Sequence, residues 1–304
     1  MDNLTFDKGF KSGFITVVGQ PNVGKSTLVN KLIGEKINII SRKAQTTRNR
    51  IQCILTLDKA QMIFIDTPGI HRPKDKMGKY LNEIAYESLR EIDLVLFMVD
   101  ANYKPNDQDK KIATQLAHAS SKPTLLVLNK VDTVSKNDLA TRINDYQKLG
   151  EFTDIITISA EKGINLDDLT EIIVDYLPEG PKYYPDDMIT DQIEQFIVSE
   201  LIREKILKFT HQEVPHSVAV EVTRFKERSD KDLIEIGANI YVERKSQKGI
   251  LIGKGGSMLK KIGKSARADI ENLLSTQVFL DLWVKIKDDW RDKEDALKML
   301  GYKG

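Results

Sequence analysis

The residues best suited to chemistry in this chain are 19–27, GQPNVGKST, which directly follow the apolar run FITVV. Gly19 stands five positions before Gly24, and Gly24 leads straight into Lys25 and Ser26. Glycines there allow a tight turn whose backbone N–H groups converge on an anion, and a helix starting at that point adds the positive end of its dipole. Lys25 is then placed to reach the β and γ phosphates of a nucleotide, and Ser26 to put its hydroxyl on Mg²⁺. Gln20, Pro21, Asn22, Val23 and Thr27 complete the cradle. The spacing reads as a P-loop, which by itself does not separate ATP from GTP.

That discrimination falls to the ends of later apolar runs. DTPGI at 66–70 closes MIFI. Asp66 is placed to hold Mg²⁺ through water and the Gly69 N–H to meet a γ phosphate, with Thr67 and Pro68 between them. NKVD at 129–132 closes TLLVL. Asn129 can bond the O6/N7 edge of a purine with Lys130 beside it, and the Asp132 carboxylate can accept N–H bonds from guanine N1 and N2. Adenine lacks that donor pair and would leave Asp132 unpaired, so the set favours guanine. SAEKG at 159–163 closes the next run, where Ser159 leads into Ala160, whose N–H is expected to meet O6.

Between the first helix and the next strand lies KINIISRKAQTTRNR, polar and poor in strand formers. Within Gln45, Thr46, Thr47 and Arg48, either threonine is a candidate for a Mg²⁺ ligand that engages only with the γ phosphate present, and Thr47 is preferred. Such a loop orders with GTP and loosens after hydrolysis. Ile70 follows Gly69 where Ras-like proteins carry a water-orienting Gln, and its side chain can neither donate nor accept a hydrogen bond, so slow intrinsic hydrolysis is expected. Asn22 offers a side-chain oxygen that would help bind K⁺ in compensation. His71 and Arg72 read as solvated loop.

These motifs need a scaffold, and the order of elements supplies one. FITVV, MIFID, LVLFMVD, TLLVLN and IITIS alternate with amphipathic stretches such as NDQDKKIATQLAHA and NLDDLTEIIVDYL, which predicts a mostly parallel sheet with helices on both faces. NRIQCILTLD and AQMIFIDT read as an antiparallel edge pair. The expected first domain is therefore an α/β P-loop GTPase domain over 1–180. PEGPKYYPDDMIT carries Pro178, Pro181 and Pro185 and marks a linker at 181–190. From 191 to 304 the grammar becomes helix, strand, strand, a Gly-rich helical region, strand and a closing helix, an α+β pattern.

In the second part, residues 244–267 hold eight Lys or Arg and no Asp or Glu. At the centre of that focused positive patch lie Ile252, then Gly253, Lys254, Gly255 and Gly256, then a helix starting near Ser257 that carries Lys260, Lys261 and Lys264. A GxxG loop between two helices lets a nucleic-acid backbone come close while an apolar groove receives about four unpaired bases. With Ile250, Ile252 and Met258 beside it, the pattern reads as an RNA-binding KH domain of type II.

Composition bounds the rest. The chain has 304 residues, 40% hydrophobic, with 46 basic against 45 acidic side chains and a net charge of +1, so any nucleic-acid surface must come from local clustering. The single Cys53 excludes an internal disulfide and suits a reducing compartment. LVLFMV falls far short of the roughly 20 apolar residues a membrane span requires.

Together, GQPNVGKSTLVNKLIG, SRKAQTTRNRI, DTPGIHRPK, NKVD, ILIGKGGSMLKKIGKSAR and the closing WRDKEDALKMLGY resemble the Era family of bacterial GTPases over essentially the whole chain. The resemblance implies a GTP/GDP switch with Mg²⁺ whose KH domain binds the 3′ end of 16S rRNA in assembly of the 30S ribosomal subunit. It also implies a cytoplasmic protein in part associated with the inner face of the membrane; monomer is the default. The main rival is a membrane or cell-cycle switch whose basic patch binds anionic lipid. An RNA-modifying GTPase would need a catalytic cysteine or cofactor site, for which Cys53 is a poor candidate.

Overall fold

Aliphatic and β-branched runs too short for helices form the buried strands, and the amphipathic stretches between them form the helices that cover those strands. The structure, a computed structural model, describes residues 9–38, 51–66, 75–87, 92–119, 122–211, 214–228, 231–300 and 302. Its described residues divide into two units, one of 9–38, 51–66 and 81–191 that carries a six-stranded sheet, the other of 75–80 and 192–302.

The first unit runs β1 (Lys11–Val18), α1 (Lys25–Ile33), β2 (Ile51–Leu57), β3 (Ala60–Asp66), α2 (Lys76–Glu87, whose residues up to Tyr80 group with the second unit), β4 (Leu94–Asp100), α3 (Asp107–Ala119), β5 (Thr124–Asn129), α4 (Lys136–Gln147), β6 (Asp154–Thr157) and α5 (Leu166–Tyr176). Strand order is β2-β3-β1-β4-β5-β6, and every neighbouring pair is parallel except the antiparallel edge pair β2 and β3. Leu94 to Val99 are all buried, so β4 is covered on both faces. Val95, Phe97 and Val99 pack with Ile112 and Leu116 of α3 and Tyr146 of α4. Chain order reverses at β1, whose neighbours are β3 and β4. In open sheets of this kind ligands bind at the carboxyl ends of strands beside such a reversal, which is where residue 19 begins.

The proline-bearing stretch after α5 is pinned rather than loose. A proline has no N–H to give, but its carbonyl still accepts: Ser12 donates its N–H to Pro178 O at 3.0 Å and its hydroxyl to Pro181 O at 2.7 Å. The fully buried Gln61 side chain takes the N–H groups of Tyr183 and Tyr184 at 2.8 and 3.0 Å and donates to Tyr184 O at 2.9 Å. Thr190 then bridges to Cys53 on the β2 edge.

The second unit runs α6 (Glu194–Phe209), β7 (Ala219–Arg228), β8 (Leu233–Val242), α7 (Lys245–Ile252), α8 (Ser257–Leu274), β9 (Gln277–Ile286) and α9 (Glu294–Met299). β7 and β8 are antiparallel as the sequence suggests, whereas β9 joins β8 in parallel register, Ile236 beside Leu280. Ile234, Ile236, Ala238, Ile240 and Val242 point to one face and bury against α6 and α8. Ile262, Ala266 and Ile270, four residues apart, form the buried stripe of α8. Charged side chains inside this core are paired: Arg203 donates to both oxygens of Glu200, at 2.7 and 2.5 Å, and Lys205 bridges Glu204 and Asp269.

Candidate nucleotide and nucleic-acid sites

The P-loop geometry follows from backbone that ordinary residues resist. Gly24 takes φ +109° and Asn22 φ +69°, so successive N–H groups turn toward one side, and Gly24 then hands the chain to α1. A Cβ at Gly19 would lie 2.2 Å from Met98 O, so only glycine allows β1 to leave the sheet this close to β4. The Lys25 ammonium lies back over the loop, donating to Gly19 O and Gln20 O at 3.0 Å each. That places the cation inside the turn whose N–H groups would meet a phosphate, in reach of a phosphate oxygen by a side-chain swing.

Asn129 at the end of β5 knots three loops. Its Nδ2 donates to Val23 O of the P-loop at 2.7 Å, and its Oδ1 accepts from Ala160 N at 2.9 Å. The side chain is buried, so these bonds form away from water and hold the NKVD and SAEKG segments against the P-loop. The Ala160 N–H is engaged with Asn129 rather than pointing outward, so Asn129 and Ala160 form one clamp. Val131 N bonds Ile158 O, and Ser159 and Ile164 exchange a pair of backbone bonds that shapes the SAEKG turn. Lys130, at φ +67°, stretches its ammonium to Asn22 O at 2.8 Å and to Asp100 at 2.6 Å. Asp132 is exposed at the start of the following 3₁₀ turn. Asp100 and Asn106, which receives the Gln20 amide at 3.0 Å, carry no motif that marks them in the sequence. The one signal for Asp100 is positional, since it closes LVLFMVD as Asn129 closes its own strand.

Ser26 lies half-buried in the first turn of α1, and Asp66 ends β3 beside Val17. A hydroxyl and a carboxylate are hard oxygen donors of the kind Mg²⁺ takes, with nucleotide phosphates completing its shell. Among the described residues no three His, Cys, Asp or Glu gather into a metal site of their own. Gln45, Thr46, Thr47, Arg48, Thr67, Pro68, Gly69 and Ile70 lie outside the described residues.

In the second unit, α7 ends at Ile252 and Gly253 turns at φ +72°, its N–H closing back on Gly249 O at 2.9 Å. A Cβ on Gly253 would meet Met258 Cβ at 2.8 Å, while Gly255 at φ +59° and Gly256 at φ +78° face open space. All three glycines are thus required by conformation and Gly253 by packing as well, while Gly255 and Gly256 leave their backbone bare for a ligand to approach. Lys254, Lys260, Lys261 and Lys264 are exposed around this loop. Lys261 also sits 4.4 Å over the Phe209 ring, which holds its charge near the α6 end. Ile252 and Met258 pack partly against the core beneath.

Known proteins match this arrangement along the whole chain. A family model described as a 50S ribosome-binding GTPase covers residues 14–130, and a KH domain model covers 213–291. GTPase Era of Alkaliphilus oremlandii (strain OhILAs) is 57% identical over 293 residues, spanning 96% of this chain and 99% of the relative. A tyrosine-to-alanine variant of Aquifex aeolicus Era, solved bound to GDP and AlF4⁻, superposes with a TM-score of 0.93 at 42% identity over 97% of this chain and 100% of that one. Era solved in complex with MgGDPNP and nucleotides 1506–1542 of 16S ribosomal RNA matches equally well, with a TM-score of 0.93 at 42% identity and the same coverage of both chains. With the knot at Asn129 and the bare glycine loop each on one of two successive units, the chain belongs to the Era family of GTPases.

Proposed function

We propose that this GTPase uses its nucleotide state to control a grip on the single-stranded 3′ end of 16S rRNA, and through it acts in 16S rRNA processing and 30S subunit assembly. The observation that carries the reading is the pairing of a guanine-type nucleotide site with the open Gly253–Gly256 loop ringed by exposed lysines. The relative solved with a GTP analogue and 16S nucleotides, alike over the full length, supports it.

In this reading Gly19 to Thr27 hold the phosphates, with Lys25 on the β and γ groups; Asn129, Lys130, Asp132, Ser159 and Ala160 frame the guanine. Ser26, Thr47 and Asp66 hold Mg²⁺, which when bound neutralises charge developing between the β and γ phosphates. Exposed Asn22 is assigned to a K⁺, since Ile70 brings no group to orient water. The RNA strand follows Ile252 to Gly256, with Lys260, Lys261 and Lys264 on its phosphates. The functional division places the GTPase part at 1–180, a connector at 181–190 and the KH part at 191–304.

No helix among the described residues is long and apolar enough to cross a membrane; peripheral contact with the inner face of the membrane is assigned to the same lysines. Depletion of the protein from its own cells tests the assembly role: unprocessed 16S rRNA and free small subunits should accumulate on a sucrose gradient. An unchanged profile after depletion would rule that role out.

A further inference from the structure

We propose that Asp100 is a positioning residue for guanine: it holds Lys130 stretched as the wall against which the base packs. The inference rests on the assignment of Lys130 to the guanine pocket made above. Its origin is register. β4 and β5 are parallel with Asp100 opposite Asn129, and Ala101 N bonds Asn129 O at 2.9 Å, so a carboxylate ending one strand must stand beside the residue following the end of the next.

The two oxygens of Asp100 have separate tasks. Oδ2 accepts from the Lys130 ammonium at 2.6 Å. Oδ1 accepts from the backbone N and the side-chain Nδ2 of Asn102, at 3.0 and 2.8 Å. Asn102 in turn lies 3.1 Å from the Thr133 hydroxyl, one residue past Asp132. Only 12% of the Asp100 side chain is exposed, against 36% for Lys130, so the anion is the fixed partner and the lysine the one being fixed. With its backbone at φ +67° and its ammonium shared between Asp100 and Asn22 O, Lys130 is held at both ends. Its aliphatic carbons then span from the NKVD loop to the P-loop before any nucleotide arrives. A lysine already ordered costs an incoming base less entropy than a mobile one, and this preorganisation should appear chiefly as slow release.

Stopped-flow release of a fluorescent GDP from the full chain tests this with wild type, Asp100→Asn, Lys130→Ala and the double variant. Asp100→Asn should release about three- to tenfold faster, the effect of freeing one long side chain. The double variant should release no faster than Lys130→Ala alone. Wild-type release from Asp100→Asn beside accelerated release from Lys130→Ala would overturn the positioning role, and so would accelerations that multiply in the double variant. If Lys130→Ala itself releases at the wild-type rate, the assignment of Lys130 to the guanine pocket fails and takes the inference with it. Asn102→Ala unhooks the carboxylate while leaving its charge, and serves the same cycle should Asp100→Asn fail to fold.

Discussion

Replacing Gly24 by Ala should disable the candidate nucleotide site through a residue more than a hundred positions away. A Cβ at Gly24 would stand 2.3 Å from Asn129 Nδ2, a distance no relaxed pair of atoms adopts. Asn129 must withdraw, and it would lose its bonds to Val23 O and from Ala160 N. At roughly 1 kcal/mol for each of two hydrogen bonds, that displacement costs about 2 kcal/mol. The left-handed backbone at φ +109° adds roughly 1–2 kcal/mol for any residue bearing a Cβ. Gly34→Ala isolates this second contribution, because Gly34 has φ +82° with nothing within 4 Å of a Cβ. The two variants should therefore differ by about 2 kcal/mol in the stability of the first unit. Far-UV circular dichroism in urea reports both units, and the part of its transition that tryptophan fluorescence does not share reports the first. The chain's two tryptophans, Trp283 and Trp290, both lie in the second unit, so their fluorescence provides an internal reference that should not move. Gly24→Ala should also weaken GDP binding while Gly34→Ala leaves it intact. Equal destabilisation by the two substitutions would refute the knot at Asn129.

Asp132→Asn should weaken GDP binding by about 10²- to 10⁴-fold, since two hydrogen bonds to a charged acceptor are worth roughly 3–6 kcal/mol; titration with fluorescent GDP measures it, and a loss under threefold would remove Asp132 from guanine reading. Burial, and then the hydrogen bond to Glu221 at 2.7 Å, push the Tyr241 phenol up to about 12. Because its folded value lies above the unfolded one near 10, the stability it lends is full below about pH 10 and is lost as pH rises towards 12. Tryptophan-detected urea midpoints should fall across that window in wild type, and less steeply in Tyr241→Phe. If Asn22 helps bind K⁺, turnover in K⁺ buffer should exceed that in Na⁺ at equal ionic strength, and Asn22→Ala should erase the difference; equal turnover of the wild type in both would remove the assignment.

Much of the candidate nucleotide site is legible because its residues stand at the ends of apolar runs, where the chain must leave a parallel sheet on one common edge. Gly19 to Ser26, Asp66, Asn129 and Ser159 each announce themselves this way. The contacts between those ends are less legible. Nothing local marks Asn129 as the residue that gathers Val23 and Ala160, or Asp100 as the partner of Lys130, because both depend on which strands are neighbours. The prolines at 178–185 suggest a linker, yet the stretch also donates, Gly180 giving its N–H to Phe10 O at 3.0 Å. They conceal that its carbonyls accept from Ser12 and that Gln61, one polar residue within a strand, fastens Tyr183 and Tyr184. The parallel placement of β9 is likewise a property of the helix α8 that carries the chain back across the sheet. In the glycine loop the sequence shows three candidates for one conformation, and only packing distinguishes Gly253, crowded by Met258, from the two that stand open.

Whether nucleotide state governs RNA grip is decided by binding of a fluorescent 16S rRNA 3′-end oligonucleotide. It is measured with a non-hydrolysable GTP analogue and with GDP, at fixed salt because phosphate contacts make affinity strongly salt-dependent. The wild type and the double variant Lys254→Asp/Gly255→Asp are compared. A nucleotide-governed grip gives tighter binding with the analogue than with GDP, and loss of binding in the double variant. Binding that ignores both the nucleotide and the substitutions would contradict it, leaving the lysines of α8 as a nonspecific surface.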